Sequence, residues 1–246
     1  VFWFTDYKSQ YIKNKIFKFD EIFYENGKDK FDYLKNSIKY NYINCVLVDS
    51  YHINSIDIYN ISNKIPIIVF IDKNITVKAN IIICPQPIDI NSSKGTKYLC
   101  GPKYAPIFDK FIFNNKKKYL KNKILISFGA YDSMGITLNV IKAIKNLIIS
   151  HSYSDNIVIT LAGDSPIIDQ VKILIKNFSN FQLVLDSKNM KAIYEDCNIA
   201  IGAPGLSYLE RLASGLPSLL ISQNKIHDSL IDKWVKKNSK KKYDKN

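Results

Sequence analysis

The chain has 246 residues, is 46% hydrophobic and carries a formal net charge of +13. That length and apolar content suffice for a packed core in one or two domains, which excludes a disordered chain. The longest apolar runs, such as Ile65 to Ile71, are strand-length and far short of the roughly 20 residues a bilayer span needs. Membrane insertion is therefore not expected.

The charge raises a nucleic-acid reading, because lysine patches neutralise phosphates. Lysine is spread along the chain with an excess of Asn, Ile and Tyr, and it clusters only at Lys116–Lys118 and in the tail from Lys236. No aromatic stacking motif accompanies those clusters, so a solvated surface and no nucleic-acid partner is the expectation. The four cysteines, Cys45, Cys84, Cys100 and Cys197, are far apart and each lies in or beside an apolar run. They read as reduced, buried thiols of a cytoplasmic protein, with no metal site and no disulfide framework. The opening VFWFTDYKSQ begins at Val1 and has no basic or long apolar leader, so the chain reads as clipped at its N-terminus.

In chain order, residues 44–50 and 66–72 read as buried parallel strands joined by a helix near Ile53 to Ser62, and 79–84 as a further strand. The segment KYLCGPKYAP (97–106) leads into a basic helical or linker stretch ending at Lys123. The lysines place a domain boundary at 107–122, with an N-terminal domain over 1–110 and a C-terminal one over 111–246.

From Lys123 the strands KILISFG, NIVITLAG, FQLVLDS, NIAIGAP and PSLLIS alternate with helical spacing at Ile136–Leu147, Ile167–Ile175, Met190–Tyr194 and Leu206–Leu212. Strands apolar on both faces and alternating with helices predict a parallel sheet covered on both sides. The fold class is α/β: two doubly wound parallel-sheet domains in series, with a ligand cleft expected between them.

Two strand–turn–helix units carry candidate chemistry. In LISFGAYDSMGITLNVIKAI (125–144), Gly129 makes the turn, Asp132 or Ser133 can cap the helix, and Ser133 and Thr137 offer hydroxyls to an anion. In IAIGAPGLSYLERLASGLPSLLI (199–221), three of the nine glycines of the chain punctuate one segment: Gly202, Gly205 and Gly215. Gly205 and Ser207 lie at the helix start where phosphate can bind, and Gly215 with Pro217 marks its stop. Glu210, one turn in, either accepts hydrogen bonds from ribose hydroxyls or only favours the helix dipole.

The order SFG-x-x-D, NM-x-x-I-Y-x-x-C-N-I-A-I-G-A and S-x-x-E-R-x-x-x-G-L-P-S-L resembles the nucleotide-binding half of GT-B-fold UDP-sugar enzymes. With GPKYAPIFDKF (101–111) ahead of ILISFGAYD (124–132), it resembles the UDP-sugar hydrolases of the pseudaminic acid pathway. Those act on UDP-2,4-diacetamido-2,4,6-trideoxy-β-L-altropyranose. The resemblance implies hydrolysis at the anomeric carbon, releasing UDP and free sugar for nonulosonic acid synthesis; a monomer without a cofactor is the accompanying expectation. It implies UDP on Gly129, Asp132, Gly205, Ser207 and Glu210, the sugar near Lys103, Tyr104 and Asn224, and catalysis by Tyr51 with Asp49 as an orienting acid.

Departures accompany it. The family's Gly-Gly is Gly129-Ala130 here, the second glycine of the phosphate turn is Pro204, and the hydroxyl-rich stretch before the glutamate is reduced to Ser207. Its Asn-Gln pair is Asn224-Lys225, and an Asp-Asp pair is Asp72-Lys73. The family's N-terminal G-x-G-H loop with its histidine base has no counterpart, since Gly27, Gly95 and Gly101 are the only glycines before residue 120. His52 follows Tyr51 on the opposite face of a strand, and His151 and His227 read as surface residues. One βα unit of the N-domain thus reads as missing. A GT-B glycosyltransferase and a non-catalytic nucleotide-sugar-binding remnant are the competing readings.

Overall fold

A computed structural model describes residues 2–5, 21–24, 43–49, 65–72, 75–112, 122–151 and 155–243. The polypeptide divides into two units, residues 1–83 with 90–99, and residues 84–89 with 100–246. The segment 100–112 thus belongs with the C-terminal unit, ahead of the lysine-rich stretch in the chain.

In the N-terminal unit, β1 (Phe2–Thr5) pairs in parallel with β2 (Glu21–Tyr24). A second sheet has the order β3 (Val46–Val48), β4 (Ile67–Phe70), β5 (Ile81–Cys84), β6 (Lys97–Cys100). Its β3–β4 and β4–β5 pairs are parallel, and the rising bonds Lys97 N to Asn80 O and Gly101 N to Cys84 O carry β6 in the same direction. Ile67, Val69, Ile82 and Cys84 alternate with less buried neighbours, the period-two burial of a strand. The expected strands at 44–50, 66–72 and 79–84 are present in shortened form. β1, β2 and β6 were not anticipated. The expected helix at Ile53–Ser62, Tyr51, His52, Lys73 and the Lys116–Lys118 cluster lie outside the described residues.

In the C-terminal unit the elements alternate as the sequence requires: β7 (Lys123–Ser127), α1 (Ile136–His151), β8 (Asn156–Leu161), α2 (Ile168–Ile175), β9 (Phe181–Leu185), α3 (Met190–Asp196), β10 (Ile199–Gly202), α4 (Leu206–Ala213), β11 (Ser218–Leu220) and α5 (Lys225–Tyr243). The five strands form one parallel sheet in the order β11-β10-β7-β8-β9. Alternate residues of the central strands feed two cores. Ile126, Ile157 and Ile159 pack with Ile141 of α1 and Val171 of α2, all fully buried. Leu125, Val158 and Ala200 pack on the other side with Tyr194 and Cys197 at α3, and with Phe111. A third cluster joins Tyr208 and Leu209 of α4 to Trp234 of α5.

Helix ends follow their local sequence. Asn189 caps α3 by accepting from the Ala192 N–H at 3.2 Å. α4 stops where Gly215 adopts φ 66° and the Leu216 N–H returns to the Arg211 carbonyl.

None of the four cysteines is in a disulfide. Cys84 and Cys197 are buried, but Cys45 and Cys100 are exposed, which corrects the expectation of four buried thiols. Cys45 sits just ahead of β3 and Cys100 closes β6, a strand at the sheet edge, so an apolar run next to each does not cover it. Among the described residues no group of His, Cys, Asp or Glu could hold a metal ion, and no helix is long and apolar enough to cross a membrane.

Candidate functional site

In the C-terminal sheet the chain runs outward in one direction from β7 through β8 to β9, then returns to β10 on the other side of β7. The strand order therefore reverses between β7 and β10. Ligands of open α/β sheets bind beyond the carboxyl ends of the strands at such a switch point. The two turns singled out in the sequence, after Ser127 and after Gly202, leave those two strand ends.

The turn after β7 is occupied by its own side chains. Gly129 holds φ 91°, a conformation suited to glycine, and Asp132 holds φ 41°. The Asp132 carboxylate, 3% exposed, accepts from the Thr137 N–H at 2.7 Å and the Ile136 N–H at 3.1 Å. It also accepts from the Gln223 side-chain amide at 3.0 Å, and that amide bonds the Phe128 carbonyl. Asp132 is thus the cap of α1, and its negative charge stands where an anion would meet that helix. Thr137, only 1% exposed, has an Oγ1 without a hydrogen-bond partner.

The turn after β10 is arranged oppositely. α4 starts at Gly205 with no side-chain cap, so the first-turn amides of Leu206 and Ser207 face outward unanswered by any side chain. A methyl group built on Gly205 would meet nothing within 4 Å, so the space in front of this helix start is open. The turn is fixed from behind. The Pro204 carbonyl accepts from the Gln86 side-chain amide at 3.2 Å, and the Gln86 oxygen accepts from the Trp234 indole at 3.1 Å. Trp234 in turn stands edge-on to Tyr208. Because a trans peptide sets N–H opposite C=O, the Gly205 N–H points away from Gln86.

Arg211 lies behind the same turn with no exposed surface. Its guanidinium donates to the Ala203 carbonyl at 2.9 Å, to Ser218 Oγ at 3.1 Å and, at a long 3.5 Å, to Ser207 Oγ. Gly202 makes room for it. A β-carbon there would lie 3.0 and 3.1 Å from the two terminal guanidinium nitrogens and 2.2 Å from the Ser127 carbonyl. The glycine therefore serves a close approach within the protein itself.

Glu210 is half-buried on α4 and accepts from the buried Tyr194 hydroxyl at 3.1 Å. Burial pushes its carboxyl above the ordinary carboxylate value, against the opposing pull of the Tyr194 bond, Arg211 and Lys110. Burial, with the Glu210 charge behind it, pushes the Tyr194 phenol far up, so it stays a donor. One Glu210 oxygen is held by Tyr194, leaving acceptor capacity on the other.

The remaining expected residues are spread more widely. Asn224 caps α5, its side chain accepting from the His227 N–H at 3.0 Å. Lys103 and Tyr104 sit in a single 3-10 turn with the ammonium 4.8 Å from the ring centroid. Asp49, in the N-terminal unit, follows β3. Burial, and secondarily the Asp72 carboxylate, push its carboxyl up although the residue keeps an exposed surface. Two shallow concavities of ≈ 500 and ≈ 450 Å³ lie elsewhere on the C-terminal unit, one between β9 and α3 and one at the amino ends of β7, β8 and β9.

Of the residues the sequence points to, Gly129, Asp132, Gly205, Ser207 and Glu210 lie in one unit, whereas Arg211, Tyr194, Gln86 and Gln223 are contributed by the structure alone. Arg211 had a signal. It stands three residues after Tyr208 and four after Ser207, on the inward stripe of α4, where a charge is out of place.

The fold of this chain matches known structures with low sequence identity. A Staphylococcus aureus MnaA structure with UDP superposes with a TM-score of 0.56 at 12% identity, covering 84% of this chain and 65% of that one. MurG of Acinetobacter baumannii gives 0.56 at 12% identity, covering 92% and 71%. The fold is GT-B-like. A Listeria monocytogenes protein described as a putative UDP-N-acetylglucosamine 2-epimerase shares it, with a TM-score of 0.53 at 10% identity over 87% of this chain and 68% of that one. An uncharacterized protein of Methanocaldococcus jannaschii is 28% identical over 155 residues, which is 59% of this chain and 31% of that protein. The match thus spans less than a third of that relative's length. No family model matches.

Proposed function

We propose that the C-terminal unit of this GT-B-like chain binds the UDP moiety of a UDP-sugar, and that the chain belongs to a nucleotide-sugar hydrolase. The observation that carries the reading is the contrast between the two helix starts at the switch point: α1 is capped by its own carboxylate, while α4 is open. Diphosphate is therefore assigned to the Gly205–Ser207 turn and the ribose to the free oxygen of Glu210. Similarity to the MnaA structure described with UDP supports the same ligand class.

In the proposed reaction a water oxygen bonds to the anomeric carbon as the carbon–oxygen bond to the β-phosphate breaks. UDP leaves with the electron pair, and the water proton passes to a base. Backbone N–H groups and the α4 dipole stabilise the charge that grows on the leaving phosphate. Asp49 is proposed as the orienting acid, its carboxyl raised by burial and by the Asp72 carboxylate. The diacetamido-trideoxy sugar follows from the GPKYAP and SFGAYD resemblance, with Lys103, Tyr104 and Asn224 as the sugar-side groups and Tyr51 as the partner of Asp49.

Calorimetric titration with UDP, and then UDP release from UDP-2,4-diacetamido-2,4,6-trideoxy-β-L-altropyranose without added acceptor, tests the reading. UDP affinity together with acceptor-free release supports it. UDP binding with release only on addition of a sugar acceptor assigns a transferase instead, and no UDP binding removes the nucleotide site altogether.

A further inference from the structure

The carboxylate nearest in sequence to Arg211, Glu210, is engaged by Tyr194, and among the described residues no carboxylate lies within ion-pair distance of the guanidinium. Its partners, the Ala203 carbonyl and the hydroxyls of Ser207 and Ser218, are all neutral. A guanidinium remains charged at any physiological pH. Burying one without a directly paired counter-ion is costly, and the Glu210 charge offsets that cost only from beyond ion-pair distance. Glycine at 202, required by the Ser127 carbonyl 2.2 Å from where a β-carbon would stand, also leaves the guanidinium room, since that β-carbon would press on its nitrogens at 3.0 and 3.1 Å.

The location gives the charge a use. Its hydrogen bonds end on residues 203 and 207, which bracket the open Gly205 turn. Arginine has donors only, so its contact with Ser207 uses the Ser207 oxygen as acceptor and leaves the Ser207 proton to be given elsewhere. We propose that Arg211 is a positioning residue for a nucleoside diphosphate. It fixes the Ala203–Ser207 turn, orients the Ser207 hydroxyl outward as a donor, and provides from behind the turn the positive charge that the diphosphate neutralises. This rests on the assignment of the diphosphate to the α4 start. It also accounts for a turn that has Pro204, with no N–H to offer, and a single hydroxyl: the buried cation replaces donors that the turn itself lacks.

The test uses the 246-residue chain and titrates UDP, UMP and uridine into the wild type, Arg211→Lys, Arg211→Met, Ser207→Ala and the double variant Arg211→Met/Ser207→Ala, with thermal melts alongside. If the assignment holds, the wild type prefers UDP to uridine. Arg211→Met then lowers UDP affinity by about 10- to 100-fold, the scale of a lost charge-assisted bond, and uridine affinity by less than about 3-fold. Arg211→Lys restores part of the preference, and Ser207→Ala costs less in the Arg211→Met background than alone. Should Arg211→Met fail to fold, Arg211→Lys and Ser207→Ala carry the same test, each expected to lower UDP and spare uridine. Equal losses for UDP and uridine, or no loss for either, overturn the positioning role while leaving the nucleotide site in place. A wild type that binds no UDP overturns the site and the proposal with it.

Discussion

Two alanines placed three residues apart separate what the β10–α4 glycines do for the fold from what they do for a ligand. At Gly202 a methyl group would stand 2.2 Å from the Ser127 carbonyl oxygen, and 3.0 and 3.1 Å from the Arg211 nitrogens. The first contact is with the backbone of the neighbouring strand, which is held by the parallel β7–β10 register and cannot swing aside. Overpacking of this kind costs about 1–3 kcal/mol, and loosening the buried guanidinium adds to it, so the upper half of that range is expected. At Gly205 the methyl group meets nothing, and φ −82° with ψ −159° is open to alanine. The weaker N-cap and the smaller unfolded-state entropy of alanine oppose each other, leaving a change within about 1 kcal/mol. That methyl would occupy the space assigned to the diphosphate, with a loss of UDP affinity of about 10-fold or more, or about 1.4 kcal/mol. Urea unfolding and UDP titration of Gly202→Ala and Gly205→Ala measure both quantities. A Gly202→Ala as stable as the wild type refutes the packing argument. A Gly205→Ala of wild-type stability and undiminished affinity refutes the placement of the phosphates.

Thr137→Val removes a buried hydroxyl that has no partner and keeps the shape, so unfolding should show a gain of about 1 kcal/mol. Tyr194→Phe should cost about 1–2 kcal/mol in the same assay, since it deprives the Glu210 carboxylate of a buried donor. The Glu210 carboxyl is raised in the folded state above its ordinary 4.5, so the fold holds that proton more tightly than the unfolded chain does. Its contribution to stability is full below about pH 4.5 and is lost as pH rises through the folded-state value. Glu210→Gln should remove that decline from a pH series of melting curves, and a slope unchanged from wild type would show that Glu210 is not its source.

The C-terminal unit was legible because its central strands β7 and β8 are isoleucine-rich runs buried on both faces, and the less buried β9, β10 and β11 alternate with helices at a regular spacing. The N-terminal unit was less so. FWFT and EIFY mix aromatic with polar residues and are flanked by lysine-rich sequence, and KYLC at β6 is only partly buried, which leaves little periodicity to read. At the candidate site, Gly205, Ser207 and Glu210 stand out in the sequence because a helix start and its first turn are local in it. Gln86 does not, because it reaches Pro204 across 118 residues of chain. Asp132 stands out as a residue, but the capping bonds that fix its role are a matter of side-chain direction.

Gly202 carries the same lesson furthest. A glycine between a strand and a helix is ordinarily read as a place where a ligand meets the backbone. Here the atoms that approach it are a carbonyl of the adjacent strand and a buried guanidinium, while Gly205, three residues on, faces open space. The two glycines therefore answer different demands. One lets the β7 backbone and the buried guanidinium come close, and the other keeps clear the surface where an anion would be met. A turn with proline in place of a second glycine loses one backbone donor, and the buried charge next to it is the compensation available within the same eight-residue helix.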